Sequence, residues 1–226
     1  MIIAIDGTSS SGKSTLSSLL AKNLKFAHLN TGAIYRAISL CVLKENINLN
    51  EMQKIIECAK NANIKVVFEN GESEVYINGK KETKSLRSPE VSGVVAEIAK
   101  IGGVRECTRT IQHNIAQEAK NIVVEGRDIG SVVFPDAEIK LFITASAKER
   151  AKRRLNEYIS LGRTDITLND VLKELNERDY ADTTRENSPL VVCPDAIVFD
   201  TTAYDIKSAN KALTKLVKQK IKEHKI

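Results

Sequence analysis

Residues 1–5 form a continuous apolar run, Met-Ile-Ile-Ala-Ile, that stops at Asp6-Gly7. A run without alternation predicts a strand buried on both faces. The period then changes, with apolar positions at Leu16, Leu19, Leu20 and Leu24, the stripe of an amphipathic helix. A strand, a glycine-bearing loop and a helix in that order open an α/β domain. The pattern predicts a second strand at 26–29, a helix at 32–44 and another at 51–62, through Met52, Ile55, Ile56 and Ala59. It then changes character. Ile64-Lys65-Val66-Val67-Phe68 and Glu74-Val75-Tyr76-Ile77 flank the turn signal Glu69-Asn70-Gly71, and Asn78-Gly79 turns the chain again. Helices follow at 89–100 and 104–119, strands at 122–124 and 139–144, and helices at 146–160 and 167–178. Residues 179–189 carry no core pattern; a short strand at 196–199 and a helix from about 204 close the chain. The expected fold is α/β: a parallel sheet with helices on both faces and a small antiparallel insert near 64–85. No internal repeat or low-complexity linker interrupts it.

The 226 residues, 42% hydrophobic and 28% charged, are enough for one α/β domain with an aliphatic core, since there is no Trp. The net charge of +5 raises the question of nucleic-acid binding. Much of the excess lies at Lys207, Lys211, Lys215, Lys218, Lys220, Lys222 and Lys225, the spacing of a solvated helix face. No aromatic residues interleave them as a nucleic-acid surface would, so no nucleic-acid partner is expected. Cys41, Cys58, Cys107 and Cys193 form no C-x-x-C pair, and His28, His113 and His224 stand apart from them. Reduced thiols and structural or surface histidines are expected. The start lacks the basic flank of a signal peptide and no stretch is long enough to span a bilayer, so a cytoplasmic protein without a membrane partner is expected.

Gly7-Thr8-Ser9-Ser10-Ser11-Gly12-Lys13-Ser14-Thr15 matches G-x-x-x-x-G-K-[ST] and falls between a predicted strand and helix. A chance match is expected in about one chain in a hundred of this length. The glycines let backbone N–H groups wrap a polyphosphate, and the helix N-terminus adds positive potential. Lys13 is placed to reach the β- and γ-phosphates of ATP, and Ser14 to join the shell of Mg²⁺. The loop predicts nucleotide binding but not what receives the phosphate, since switches, motors and kinases share it. Guanine-binding switches carry an Asn-Lys-x-Asp segment that is absent here.

A kinase of anionic acceptors needs further arginines to offset crowded charge. Asn30-Thr31-Gly32-Ala33-Ile34-Tyr35-Arg36 follows the second predicted strand, and Glu125-Gly126-Arg127-Asp128 follows the strand ending at Val124. Both are expected at the carboxyl ends of parallel strands, where open sheets bind ligands. With the phosphate loop, the Thr31-Gly32-x-x-Tyr35-Arg36 segment and the run Gly126-Arg127-Asp128-Ile129-Gly130-Ser131-Val132-Val133-Phe134-Pro135-Asp136-Ala137 resemble bacterial-type cytidylate kinase. The run is the most specific part, and Glu177-Arg178-Asp179-Tyr180-Ala181-Asp182-Thr183-Thr184-Arg185 also matches. The likeness extends over nearly the whole chain, including the insert.

The resemblance implies a P-loop kinase fold, in a single nucleoside monophosphate kinase domain over 1–226. Its core would be about 1–45 and 119–226, its acceptor-binding region about 46–118 and its lid about 150–166. It implies transfer of the ATP γ-phosphoryl group to CMP or dCMP with Mg²⁺ as cofactor. Lys13, Arg36, Arg127 and Arg185 would be catalytic, and Arg150, Arg153 and Arg154 would close over ATP with the loop residues Gly7 to Thr15. Thr31, Tyr35, Arg36, Gly126, Arg127 and Arg185 would line the acceptor site. Arg178 and Asp182 would hold its sugar, and Arg105 and Asp128 would read cytosine, an arginine donor beside a carboxylate acceptor. That pairing can discriminate by roughly 1–3 kcal/mol. Glu125 would hold Mg²⁺ through water, or be an ordinary strand-end carboxylate. Two positions depart from the family. Asn30 stands where an acid is usual, and Ala96 stands where a hydroxyl is usual, with Ser92 one turn earlier. A monomer is expected. A broader UMP/CMP kinase, another small-molecule kinase such as a shikimate-type kinase, and a non-catalytic nucleotide-binding regulatory module are the rival readings.

Overall fold

The apolar run at the start of the chain becomes the central strand of a parallel sheet. In chain order the elements are β1 (Ile2–Gly7), α1 (Lys13–Leu24), β2 (Ala27–Asn30), α2 (Thr31–Lys44), α3 (Met52–Asn61), β3 (Ile64–Glu69), β4 (Glu72–Ile77) and β5 (Lys80–Lys81). They continue with α4 (Pro89–Ile98), α5 (Gly102–Ala119), β6 (Ile122–Glu125), β7 (Ile139–Thr144), α6 (Ala147–Ser160), α7 (Leu168–Thr184), β8 (Ile197–Asp200) and α8 (Ile206–His224). The computed structural model describes residues 1–69, 72–163 and 165–224. The predicted turn at Asn70-Gly71, Thr164 of the expected lid and Lys225 lie outside the described residues. The chain divides into two compact units, residues 1–24 with 123–226, and residues 25–122.

Five strands are ordered β2-β6-β1-β7-β8. β1 pairs in parallel with β7, Ile3 opposite Ile139 and Gly7 opposite Ile143, and β7 pairs in parallel with β8. Parallel neighbours need crossover connections, and helices supply them. In the first unit Ile3, Ile5, Val123, Val124 and Ile143 are fully buried, as a strand with both faces covered requires. α8 turns Ala209, Leu213 and Val217 inward and exposes Lys207, Lys211, Lys215 and Lys218. These lysines are therefore the solvated face that their spacing predicts. α6 and α7 share a small core of Ala151, Tyr158, Val171 and Leu175.

The second unit contains α2 to α5 and an antiparallel sheet in the order β3-β4-β5. Ile64 pairs with Ile77, Val66 with Val75 and Tyr76 with Lys81. β4 begins two residues before the strand that apolar content alone predicts, and β5 is a short polar addition. α4 starts where local chemistry dictates: Pro89 needs no N–H partner at the first helical position, and the Ser88 hydroxyl accepts from the Val91 N–H at 3.3 Å.

Two features depart from the sequence pattern. α7 runs to Thr184, where a polar, core-less stretch is expected from Asp179. Its last turns carry few apolar side chains and are held by charge instead: Asp179 accepts from Arg150 at 2.6 Å and Asp182 from Arg127 at 2.8 Å. The second is a wide, π-type turn at Ile129–Val133. It is pinned by the buried Asp6 carboxylate, which accepts from the N–H groups of Ile129 and Gly130, each at 2.8 Å.

Gly7 is required at the end of β1. It has φ 152°, and a β-carbon there would lie 1.9 Å from the Ile143 carbonyl oxygen. Gly7→Ala should cost about 3 kcal/mol or more, through strain and displacement of β7. Gly93, on α4 with open space around its β-position, should behave oppositely, Gly93→Ala adding about 0.4–1 kcal/mol. Denaturant unfolding of the two variants checks both signs.

Candidate active site

The loop between β1 and α1 is shaped for an anion before any ligand enters. Ser10 and Gly12 have φ of 57° and 84°, which bend successive N–H groups around a concave path. The Ser11 hydroxyl donates to the Thr8 carbonyl at 3.0 Å, and Lys13, Ser14 and Thr15 form the first turn of α1. Lys13 is buried, with Nζ 3.7 Å from Glu125 Oε2. Its pKa falls to about 8, chiefly because burial disfavours the charged form, with the Arg127 charge adding to the fall and Glu125 opposing it.

Ser14 Oγ donates to Glu125 Oε2 at 2.8 Å, so a hydroxyl and a buried carboxylate stand together at the mouth of the loop. These are hard oxygen donors of the kind that hold Mg²⁺, which retains most of its waters and takes further oxygens from phosphates. The residues therefore fit the ion. Among the described residues no group of three or more His, Cys, Asp or Glu side chains forms another metal cluster.

A set of arginines surrounds the loop within the first unit. Arg127 follows Gly126, whose N–H donates to the Ile5 carbonyl at 3.0 Å. Arg127 donates from Nε to Asp182 at 2.8 Å and from Nη2 to Ser9 Oγ at 3.0 Å. Arg185 donates to the Ser188 carbonyl at 2.6 Å and lies 3.7 Å from Asp128 and 3.8 Å from Asp182. Arg178 is exposed on α7, and its charge adds to the lowering of the Lys13 pKa. Arg150 and Arg153 reach the loop backbone, donating to the carbonyls of Ser9 at 3.2 Å and Ser11 at 3.4 Å. Arg154 instead donates to Glu157 and lies over the Tyr158 ring, 4.6 Å from its centroid.

The remaining candidates lie in the second unit. Thr31 is buried at the start of α2. Arg36 donates to Ser92 Oγ at 3.0 Å and to the Leu86 carbonyl at 3.4 Å. Arg105 is buried, donates to the Ala99 carbonyl at 3.1 Å and sits over the Tyr35 ring at 5.6 Å. Tyr35 is thus a support for Arg105, and Ser92 holds Arg36.

Three supporting residues escape sequence reasoning. Asp6 ends an apolar run and reads as a mere boundary, yet it anchors the turn after Asp128. Burial raises its pKa to about 6, against the two backbone N–H bonds, with Asp128 adding to the rise. Thr201, just after β8, has its hydroxyl 3.0 Å from the Ser11 carbonyl and accepts from Arg153 at 2.9 Å. Asp179 lies between Arg150 and the Ser9 N–H. Only the unusual Asp after a buried strand could have signalled the first, and nothing local signals the other two.

Lys13 binds fewer protons in the folded than in the unfolded chain between its lowered value and 10.5, so its share of stability rises with pH across that window. Well below about 8 its buried charge is fully present. ATP phosphates should restore the proton. Titration calorimetry in buffers of differing ionisation enthalpy should therefore show proton uptake on ATP binding at a pH above 8 that fades towards pH 7; uptake that is absent or pH-independent removes Lys13 as its source.

A family model described as cytidylate kinase matches residues 3–219. The chain is 44% identical over 214 residues to a cytidylate kinase of Caldicellulosiruptor saccharolyticus, covering 95% of this chain and 94% of that one. It is 40% identical to a cytidylate kinase of Fusobacterium nucleatum, covering 97% and 98%. A crystal structure of an uncharacterized protein from Eubacterium ventriosum shares its fold at 15% identity, with a TM-score of 0.51 and coverage of 96% and 98%. The chain belongs to the cytidylate kinase family.

Proposed function

We propose that this chain transfers the γ-phosphoryl group of ATP to an α-phosphate oxygen of CMP or dCMP, yielding ADP and CDP or dCDP. The observation that carries this reading is the set of cations around the phosphate loop: Lys13, Arg127 and Arg150, each held against the loop or against a carboxylate beside it. An anion-binding loop alone suits any nucleotide; additional arginines suit two anionic substrates whose charges must be offset together.

A new bond forms between the acceptor oxygen and the γ-phosphorus as the bond to the β-phosphate bridging oxygen breaks, the leaving electrons going to ADP. The acceptor oxygen is already anionic, so no general base is needed, and positioning with charge stabilisation supplies the rate. Lys13 neutralises the transferring group, and Arg127, Arg185 and Arg36 offset the acceptor phosphate. Ser14, and Glu125 through water, would hold Mg²⁺, which would supply positive charge to the phosphates. Arg178 and Asp182 take the sugar, and Asp128 and Arg105 the cytosine edge. Thr31, Tyr35 and Gly126 complete the acceptor set, while Arg150, Arg153 and Arg154 serve ATP. The division into core, acceptor-binding region and lid (about 150–166), a monomeric state and a cytoplasmic setting complete the proposal. No described helix is long and apolar enough to cross a membrane.

A wider UMP/CMP specificity has one feature in its favour, since Ala96 provides no hydroxyl and Ser92 is engaged with Arg36. A coupled ADP-release assay with CMP, dCMP, UMP, AMP, dTMP and shikimate separates the readings. Turnover confined to CMP and dCMP is expected. Comparable UMP turnover keeps the reaction and discards the base reading, and ATP binding with no turnover on any acceptor points to a regulatory module. Asp128→Asn should relax the CMP-to-UMP preference by up to about 10-fold, the equivalent of one mismatched buried polar contact. Lys13→Ala should lower kcat by roughly 10²-fold or more.

A further inference from the structure

Ser9 is gripped through all three of its polar groups. Its N–H donates to Asp179 Oδ1 at 3.4 Å, its carbonyl accepts from Arg150 Nη1 at 3.2 Å, and its hydroxyl accepts from Arg127 Nη2 at 3.0 Å. Asp179 also closes on Arg150, Oδ2 to Nη1 at 2.6 Å. The result is a ring through the phosphate loop, α6 and α7, in which Asp179 touches both the loop and the arginine. Arg150 Nε is committed to the Ala145 carbonyl at 3.0 Å, and its Nη1 to Ser9 and Asp179. Its Nη2 has no hydrogen-bond partner among the described residues and is the donor left for an anionic ligand.

We infer that Asp179 is a positioning residue for phosphoryl transfer: it fixes the Arg150 guanidinium against Ser9 so that the remaining donor faces the nucleotide polyphosphate. The cost of the arrangement points the same way. Side-chain exposure is 7% for Arg150 and 18% for Asp179, and ion pairs so far from water are poor sources of stability compared with apolar packing. α6 and α7 already have an apolar core of their own in Ala151, Tyr158, Val171 and Leu175. A carboxylate beside an anion-binding loop also repels the ligand by simple Coulomb reasoning. Its presence is understandable when its task is to orient an arginine.

This inference builds on the kinase reading for kcat, but ATP affinity tests it whatever the acceptor. The experiment is a cycle of Asp179→Asn, Arg150→Ala and the double variant. ATP affinity is measured by calorimetry without acceptor, then kcat and the KM for CMP. Asp179→Asn should weaken ATP binding about 5- to 10-fold and lower kcat about 10- to 100-fold, with the CMP KM within about twofold. The double variant should be no worse than Arg150→Ala, because Asp179 acts through that arginine. Tighter ATP binding by Asp179→Asn, the result of removing a repelling charge alone, overturns the inference. Losses that multiply in the double variant, or a lower Tm with unchanged ATP affinity and kcat, also overturn it. If Asp179→Asn does not fold, Arg150→Lys, which keeps the charge and withdraws the fork, is expected to weaken ATP binding; unchanged affinity then overturns it. Wild-type enzyme that binds ATP but leaves CMP untouched defeats the kinase reading and leaves the affinity cycle to judge Asp179.

Discussion

Lys13 is buried with a charge, and the surrounding unit is organised to make that tolerable. An ammonium group removed from water is strongly disfavoured, and proteins meet the cost by pairing or by shedding the proton. Glu125 supplies the partner, itself buried and tied to Ser14. The balance still leaves the Lys13 pKa lowered to about 8, chiefly through burial, with Arg127 and then Arg178 adding positive charge. A loop so arranged is short of negative charge until a polyphosphate arrives. Affinity for anions is therefore built into the fold before binding, as preorganised electrostatic sites require.

The same shortage explains how carboxylates are used around it. Asp182 and Asp179 bind Arg127 and Arg150, and both aspartates sit on the last turns of α7. These turns bury little apolar surface, so the helix persists to Thr184 through ion pairs and local hydroxyl bonds, such as Thr184 Oγ1 to the Tyr180 carbonyl at 2.7 Å. α7 starts equally firmly, with a capping box between Thr167 and Asp170. Its middle is apolar and packs on α6, and its end is charged and points its acids at arginines. Packing and chemistry are thus separated along one helix.

Asp6 does for the segment after β6 what Glu125 does for the loop. Its two short bonds to the N–H groups of Ile129 and Gly130 satisfy backbone donors that a wide turn leaves unpaired. They fix the path of the chain just after Arg127 and Asp128. Burial resists ionisation of Asp6, yet its acceptor geometry needs the carboxylate oxygens. Such opposed demands are common where structure is held for a site and not for stability alone.

Much of this protein is written locally. The unbroken apolar run before Asp6, the switch to helical spacing at Leu16, the glycines and Lys13 between them, and the turn at Asn78-Gly79 each act over a few residues. A reader of the chain alone can therefore place β1, the phosphate loop, α1 and the antiparallel insert. Arg127, Arg185 and Arg36 are legible only as polar residues in family-like segments. The partners that aim them, Asp182, Asp128 and Ser92, are chosen by contacts across up to 57 residues of sequence. The grip on Ser9 from residues 118, 141 and 170 positions away leaves no local trace. Periodicity and turn chemistry are properties of neighbours, so most of the elements and the phosphate loop can be read from the chain. Ion pairs between distant segments depend on how those elements pack, so which carboxylate pairs with which arginine emerges only in the folded chain.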